Sequence, residues 1–550
     1  MPANREDRAA RLTRGRGDAL VLVPTQGKRI AALVLLSSLP DLGFAADSDE
    51  IETITVHGRR DGQARLAATP VETEILPSAF IRESPANDLG ALLRNQPGLR
   101  VQRRIQGEAA AVSIEGMPPS YTAVRVDGQR YAGEIGGVDD LREFPLASVE
   151  QVEIRRGPQA LRFGPEAGGG VINLVTKSPP AGGFEAQASG GGGDDHNALA
   201  QGVWGVGSPS GGGSLAFEYN QIGGFEPPSD TGSAVLIPFG AGSRRRASDA
   251  YAKGAWSPQP EVTVGSRLGW RQRRESFELQ QEDGRLATLE RQNERWLAGS
   301  GVEWEIDPET RITSDLSYFW SQTRSEVGRQ FTLNDDEVKG ELLVERRFSL
   351  GAVESTITLG GDLRHQTLDL RDGVTDVTIG GVPLGGGRIR EAVDQGGFFV
   401  IGDGDVNGVA QVEFGVRVQF HTLYSPKLLP QAAVMLDLMS WEDGLVRLRL
   451  SAGRNHRVPS LRELNQPPVP QIGGAYFLAG NPELRAESST SYRASVELES
   501  GGWGAFSVVG FYNEIEDHIR SAFNGNSVTI SSNIIPADPF LCGLDPLGAA

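Results

Sequence analysis

Cysteine is almost missing from this 550-residue chain; Cys542 is the only one. A lone thiol excludes an intrachain disulfide framework and a cysteine-rich zinc site. Basic charge is short as well. Lys plus Arg number 53 against 71 Asp plus Glu, a formal net charge of −18. Such a chain lacks the basic face that displaces counterions from nucleic acid. Six scattered histidines advertise no metal site. No run approaches the roughly 18 apolar residues that carry a helix across a bilayer. Catalytic constellations are missing too: Ser113 and Ser120 have no histidine nearby in sequence, and acidic pairs alternate along strand-like segments. The sequence points to no catalytic residue, cofactor or metal ligand.

What is present begins with a targeting pattern. Residues 1–29 carry seven basic side chains, from Arg5 to Arg29, against three acids. An apolar stretch follows from Ile30 to Leu36 and on through Leu39, ending in Gly43-Phe44-Ala45-Ala46 before Asp47. Charged region, apolar core and small-residue cut are the order of a secretory signal peptide, so residues 1–46 are expected to be one. An exported acidic chain with no membrane helix is either soluble or a β-barrel.

Residues 47–69 are polar apart from the β-prone run Glu52-Thr53-Ile54-Thr55-Val56, and read as an exposed arm. Residues 70–180 read as an α+β unit. Asn87 or Asp88 can cap a short helix that Gln96-Pro97-Gly98 ends. Strands are expected at Leu99–Gln102, Ala111–Ile114, Ala123–Val126 and Val149–Arg155, with Asp127-Gly128 as a turn.

From about residue 183 alternation takes over. Ile312, Leu316, Tyr318 and Trp320 oppose Thr313, Asp315, Ser317 and Ser321. Ile357, Leu359 and Leu363 oppose Thr358, Asp362 and Arg364, and Tyr492, Val496 and Leu498 oppose Arg493, Ser495 and Glu497. Period two places one set on each face of a sheet. Charges recurring on one face suit a wet lumen better than a dry core. Aromatics near strand ends, such as Trp270 and Tyr318-Phe319-Trp320, suit an interfacial girdle. About 14–16 strand candidates are countable this way, with loops expected at 223–246 and 370–396. A soluble exported β-sandwich remains the rival reading.

Residues 145–177 narrow the choice. Val149-Glu150-Gln151-Val152-Glu153-Ile154-Arg155-Arg156-Gly157-Pro158 leads to Phe163-Gly164, then Gly168-Gly169-Gly170-Val171-Ile172-Asn173. This resembles the plug-domain signature of TonB-dependent outer-membrane receptors. Leu89–Gly98, Ser113–Met117 and Val124–Gly128 resemble neighbouring plug blocks. Pro459–Leu464 and Gly480–Glu487 resemble two barrel blocks, so the resemblance covers nearly all of the mature chain. It implies an antiparallel membrane β-barrel, 22-stranded in the family, with an N-terminal α+β plug domain in its lumen. Residues 70–180 would be the plug and 181–550 the barrel. The chain stops soon after the Asn-Pro-Glu-Leu block, so the barrel is expected to be incomplete at its C-terminus.

The resemblance also implies roles. Ile51–Gly58 sits where the family carries its TonB box, so Glu52, Thr53, Ile54, Thr55 and Val56 would add a strand to TonB, which the ExbB–ExbD complex energises. Glu150, Glu153 and Arg156 would belong to a plug–barrel lock of partly wet ion pairs, each worth about 0–1 kcal/mol when exposed. Gly157, Pro158, Gly164, Gly169 and Gly170 would supply turns and close backbone approach. One departure stands out. Position 115 is Glu where the family usually has Arg, which reverses one lock charge. Haem receptors place a His between the two barrel blocks; none lies between Val458 and Asn481 here, and His456 reads as a wall or loop residue. The family's default ligand is a ferric siderophore, with cobalamin, nickel chelates and glycans as others. Energised import is the expected function. The alternatives are a passive porin-like channel and a non-functional truncated receptor.

Overall fold

The computed structural model describes residues 69–532, some loop stretches excepted (224–243 is the longest), together with Ala32–Ser38. The arm segment 52–56 lies outside the described residues. So does the expected signal peptide, apart from Ala32–Ser38, which forms a strand.

The inner domain is a five-stranded sheet in the order β1-β6-β7-β4-β5. Its strands are β1 (Thr73–Pro77), β4 (Thr122–Val126), β5 (Gln129–Arg130), β6 (Val149–Arg156) and β7 (Gly170–Thr176). A separate hairpin pairs β2 (Leu99–Arg103) with β3 (Ala110–Ile114). Three short helices accompany them: α1 (Ser78–Glu83), α2 (Leu89–Leu93) and α3 (Ala160–Phe163). Asp88 caps α2, accepting from the Ala91 N–H at 2.8 Å. Past the helix, Gly98 turns the chain with φ +71°. Leu89, Leu93, Ile114, Phe144, Val152, Ile154 and Ile172 form the core.

The four expected strands are all present. The sequence pattern does not announce β1, β5, β7, α1 or α3. β7 is buried at every position, and a strand buried on both faces shows no alternation. β1 is a five-residue edge strand that ends in Pro77, a residue edges tolerate.

The outer wall is one antiparallel sheet of sixteen strands. Fifteen follow each other in chain order: β8 (Gly183–Gly192), β9 (Ala198–Ser208), β10 (Gly211–Ile222), β11 (Arg244–Gln259), β12 (Val262–Gln280), β13 (Leu286–Asp307), β14 (Thr310–Ser325), β15 (Phe331–Leu350), β16 (Val353–Asp372), β17 (Arg388–Val406), β18 (Ala410–His421), β19 (Lys427–Trp441), β20 (Gly444–Arg457), β21 (Glu487–Ser500) and β22 (Gly504–Glu516). The sixteenth, Ala32–Ser38, pairs antiparallel with β22. Among the described residues no pairing joins β8 to the far end, so the sheet is not closed. Connections alternate between tight turns, as at 260–261 and 308–309, and longer segments, of which 458–486 is the longest and carries α4 (Leu461–Asn465). The loop expected at 370–396 is shorter than read: β16 runs to Asp372 and β17 begins at Arg388. Strands that rise past the apolar band into water lose their alternation, so sequence pattern underestimates their length.

Alternation sorts the wall as its chemistry demands. Leu268, Leu316, Leu359, Leu363 and Val496 are exposed on the outside. Arg267, Arg271, Asp315, Arg493 and Ser495 are buried on the inside. Trp270, Trp296 and Trp320 lie in register on three adjacent strands, and Trp304 lies eight positions from Trp296 along β13. Eight residues span roughly 26 Å of strand at about 3.3 Å each. Before tilt, that is comparable to the roughly 25 Å apolar band of an outer-membrane barrel.

Candidate functional site: the plug–wall interface

The inner domain is held in the lumen by charge. Arg493 of β21 donates through Nε to the Glu115 carboxylate at 2.9 and 3.1 Å, and through Nη2 to Glu72 at 2.6 Å. The reversed charge at position 115 therefore has an arginine opposite it on the wall. Arg156 of β6 joins the same cluster, donating to Glu74 at 2.5 Å and Glu72 at 3.4 Å, and to the Pro97 carbonyl at 3.0 Å. Burial opposes ionisation of Glu72, but the Arg493 and Arg156 guanidiniums outweigh it and hold the carboxyl below its usual range.

Further clusters repeat the device around the lumen. Glu166 sits between Arg364 of the wall at 2.7 Å and Arg125 of the plug at 2.8 Å. Arg130 meets Glu337 of the wall at 2.6 Å. Asp127 accepts from the Thr176 N–H and hydroxyl, and from Tyr251 of the wall at 3.0 Å, with Lys253 at 3.4 Å. Burial raises the Asp127 pKa; the Lys253 charge and the Thr176 hydrogen bonds more than reverse that, and the net shift is downward. Asp140 is bracketed by Arg142 and by Arg273 of the wall. On β10, Glu218 accepts from the backbone of Leu146 and Ala147.

The site residues read from sequence fall as follows. Arg156 reaches the wall through a shared partner, Glu72. Glu153 is buried inside the plug, accepting from Gln151, Asn173 and Arg155. Glu150 lies on β6 near Lys177, whose pKa burial lowers and the Glu150 charge partly restores. Gly157 (φ +89°) and Pro158 link β6 to α3, with Pro158 against Gly453 of the wall. Gly164 closes α3 at φ +86°. At Gly169 a Cβ would meet Met117 at 2.8 Å. At Gly170, φ is +146° and a Cβ would stand 2.5 Å from the Arg155 carbonyl oxygen, so only glycine lets β7 reach β6.

The lock was expected to consist of partly wet pairs. The Arg156 pairs are partly wet, with Glu72 and Glu74 19% and 31% exposed, but two pairs that reach the wall are dry. The Arg493–Glu115 side chains are only 4% and 8% exposed, and Arg130–Glu337 5% and 4%. The figure for exposed pairs does not apply to them. Breaking one partner of a buried pair costs about 3–5 kcal/mol. Sequence reasoning missed Glu72, Asp127, Glu166, Arg364 and Arg493 as partners. The inward parity of the wall charges was visible, but Arg493 and Glu115 are 378 positions apart. His456 lies at the end of β20 and is buried in the wall.

The arm's root has a defined place. Thr69 and Pro70 line a cavity of about 380 Å3 between the plug and the tight-turn rim. A few residues on, β1 lies at the sheet's edge, antiparallel to β6, with Thr73 opposite Arg155.

The comparisons agree with this geometry. The TonB-dependent Receptor Plug Domain model matches residues 65–171, and the TonB dependent receptor-like beta-barrel model matches residues 185–538. The vitamin B12 transporter BtuB of Photobacterium profundum is 24% identical over 91% of this chain and 76% of its own length. A ferric enterobactin receptor of Pseudomonas aeruginosa is 24% identical over 88% of this chain and 75% of its own. Among solved structures, a mutant ferric enterobactin receptor of Pseudomonas aeruginosa in complex with enterobactin superposes with a TM-score of 0.69 at 19% identity. That match covers 84% of this chain and 76% of the other. With a charged plug seated in an antiparallel wall, and both parts matched in order, the chain belongs to the family of TonB-dependent receptors.

Proposed function

We propose that this chain is an energised importer of the outer membrane. It would take up a scarce chelate, in the first instance a ferric siderophore, when TonB pulls its N-terminal arm. The observation that carries this reading is the attachment of the arm's root to β1, an edge strand with β6 as its one sheet neighbour, whose arm-side end at Thr73 can part from β6 before Leu76 leaves the core. Ion pairs suit a plug that must let go. Charges separated under load regain water, whereas parting an apolar interface costs roughly 25 cal/mol for every Å2 exposed. The arm residues Glu52–Val56 would dock on TonB by strand addition. Glu72 and Glu115, with Arg156 behind Glu72, would form the plug side of the lock; Glu153, held by Gln151, Asn173 and Arg155, and Glu150, near Lys177, would act from within the plug.

Deleting residues 51–58 tests the reading. Uptake should be lost while ligand binding at the cell surface persists. Unchanged uptake would favour the passive channel. A relative named for vitamin B12 matches as much of the chain as those named for ferric enterobactin. Uptake of labelled ferric siderophores and of cobalamin, side by side, decides the ligand.

A further inference from the structure

Most inward positions of the lumen wall are polar or charged, and the apolar exceptions include a patch that faces α3. Leu343 of β15 and Phe399 and Ile401 of β17 point inward and are buried. Leu161 of α3 packs into them. The niche is shaped by missing side chains. A Cβ at Gly360 would stand 2.1 Å from the Phe399 ring, and one at Gly415 would stand 2.8 Å from Leu161 Cδ1. Arg417 of β18 closes the niche. It is wholly buried, pairs with Asp362 at 2.6 Å, and donates to the Leu161 carbonyl at 3.2 Å.

Cavities lie on both sides of this contact. Toward the long-loop rim are two narrow ones of about 30 Å3 each. The first is bordered by Ser120, Glu166, Arg364 and His421, the second by Arg130, Gly164, Glu337 and again Arg364. Toward the tight-turn rim lies the cavity of about 380 Å3, adjoining another of about 600 Å3. Arg162 borders both the second narrow cavity and the one of about 380 Å3; Leu161 and the arm root, Thr69 and Pro70, border the latter. The four-residue helix is thus the partition between outer and inner space along strands β15–β18.

We propose that α3 is the gate of a passage confined to this sector of the wall, with Leu161 as its seal. This rests on the import reading. The connection to the arm is short. Tension on Thr69 first loads the Glu72 carbonyl, which accepts from the Arg156 N–H at 3.1 Å, and the Thr73–Arg155 pairing. Both lie at the end of β6 that runs through Gly157 and Pro158 into α3. The β11–β13 sector is built otherwise: there Tyr251 and Leu297 join the plug's own core. Movement of one small helix would join the cavities while that core stays folded.

The test measures leak, without TonB. The full chain is reconstituted in lipid vesicles loaded with trisaccharides. Two variants attack the seal from opposite sides. Leu161→Ala removes it from the plug, and Gly360→Ala displaces the Phe399 ring that it packs against on the wall. Leu297→Ala, a cavity of similar size in the other sector, is the control. Heat-modifiable gel mobility confirms that each variant is folded. Both seal variants should leak severalfold faster than wild type, and the control should not. Failure of either seal variant to leak, or an equal leak in the control, overturns the gate. Uptake in cells is scored separately. Leak without any wild-type uptake would sink the import reading and leave the gate standing. Uptake without leak would do the reverse.

Discussion

Arg493 holds two carboxylates from different parts of the plug, Glu115 on the turn after β3 and Glu72 at the arm's root. If that bridge is one unit, substitutions at its ends are not additive. A double-mutant cycle with Glu115→Gln and Arg493→Met, read as denaturant midpoints, should give a coupling of about 1–3 kcal/mol. The charge swap Glu115→Arg with Arg493→Glu should recover part of the loss. Additive losses would mean that the contact does not hold the plug. Asp127 supplies a pH test. Its folded pKa is depressed below the usual 3.8, so its contribution to stability is present above the unfolded value. It is lost as pH falls through the folded value. Stability measured from pH 7 down to pH 2 should therefore drop in the range below about 4. In Asp127→Asn that part of the acid slope should shrink. An unchanged slope would show that other carboxylates set it.

At the scale of the element, the question is which piece moves first. β1 has one neighbour in its sheet, and its arm-side end lies beside the end of β6 that leads to α3. A disulfide between Thr73→Cys and Arg155→Cys, with Cys542→Ser to remove the native thiol, would tie the edge strand down. Uptake should then be lost under oxidising conditions and return on reduction, with ligand binding the same in both. Uptake that survives the oxidised tie would show that peeling β1 is not the first step. Gly170 marks the opposite kind of element, one that must stay paired. Gly170→Ala should lower plug stability by more than about 1 kcal/mol, because the new methyl group meets the Arg155 carbonyl at a positive φ. The glycine was legible in the sequence as part of the Gly168-Gly169-Gly170 motif, because backbone geometry restricts the residue type; the strand it opens, buried on both faces, was not. Nor was the edge strand, because nothing in Thr73–Pro77 distinguishes a short edge strand from a linker.

At the scale of the whole molecule, lipid made the wall legible. A barrel strand has one solvent outside and another inside, so Leu316 and Asp315 had to differ, and the period of two follows. The seating of the plug in that wall was not legible. Its ion pairs join positions hundreds of residues apart, and any inward arginine would have looked equally suitable. The apolar niche around Leu161 broke the pattern: Phe399 and Ile401 lie on the face where charge was expected, and only the structure shows what fills it. The lipid reading itself has a direct test. On β14, Leu316 lies midway between Trp320, in the row of tryptophans, and Ile312, which registers with Trp304; it is 60% exposed on the outer face. Leu316→Arg should reduce folding stability in vesicles by about 2–4 kcal/mol, as expected for a charge near the bilayer midplane. Thr313→Arg, three positions away and facing the lumen, should lose far less. Equal losses would mean that the exposed leucines of this wall do not face hydrocarbon, and the barrel reading would fall with them.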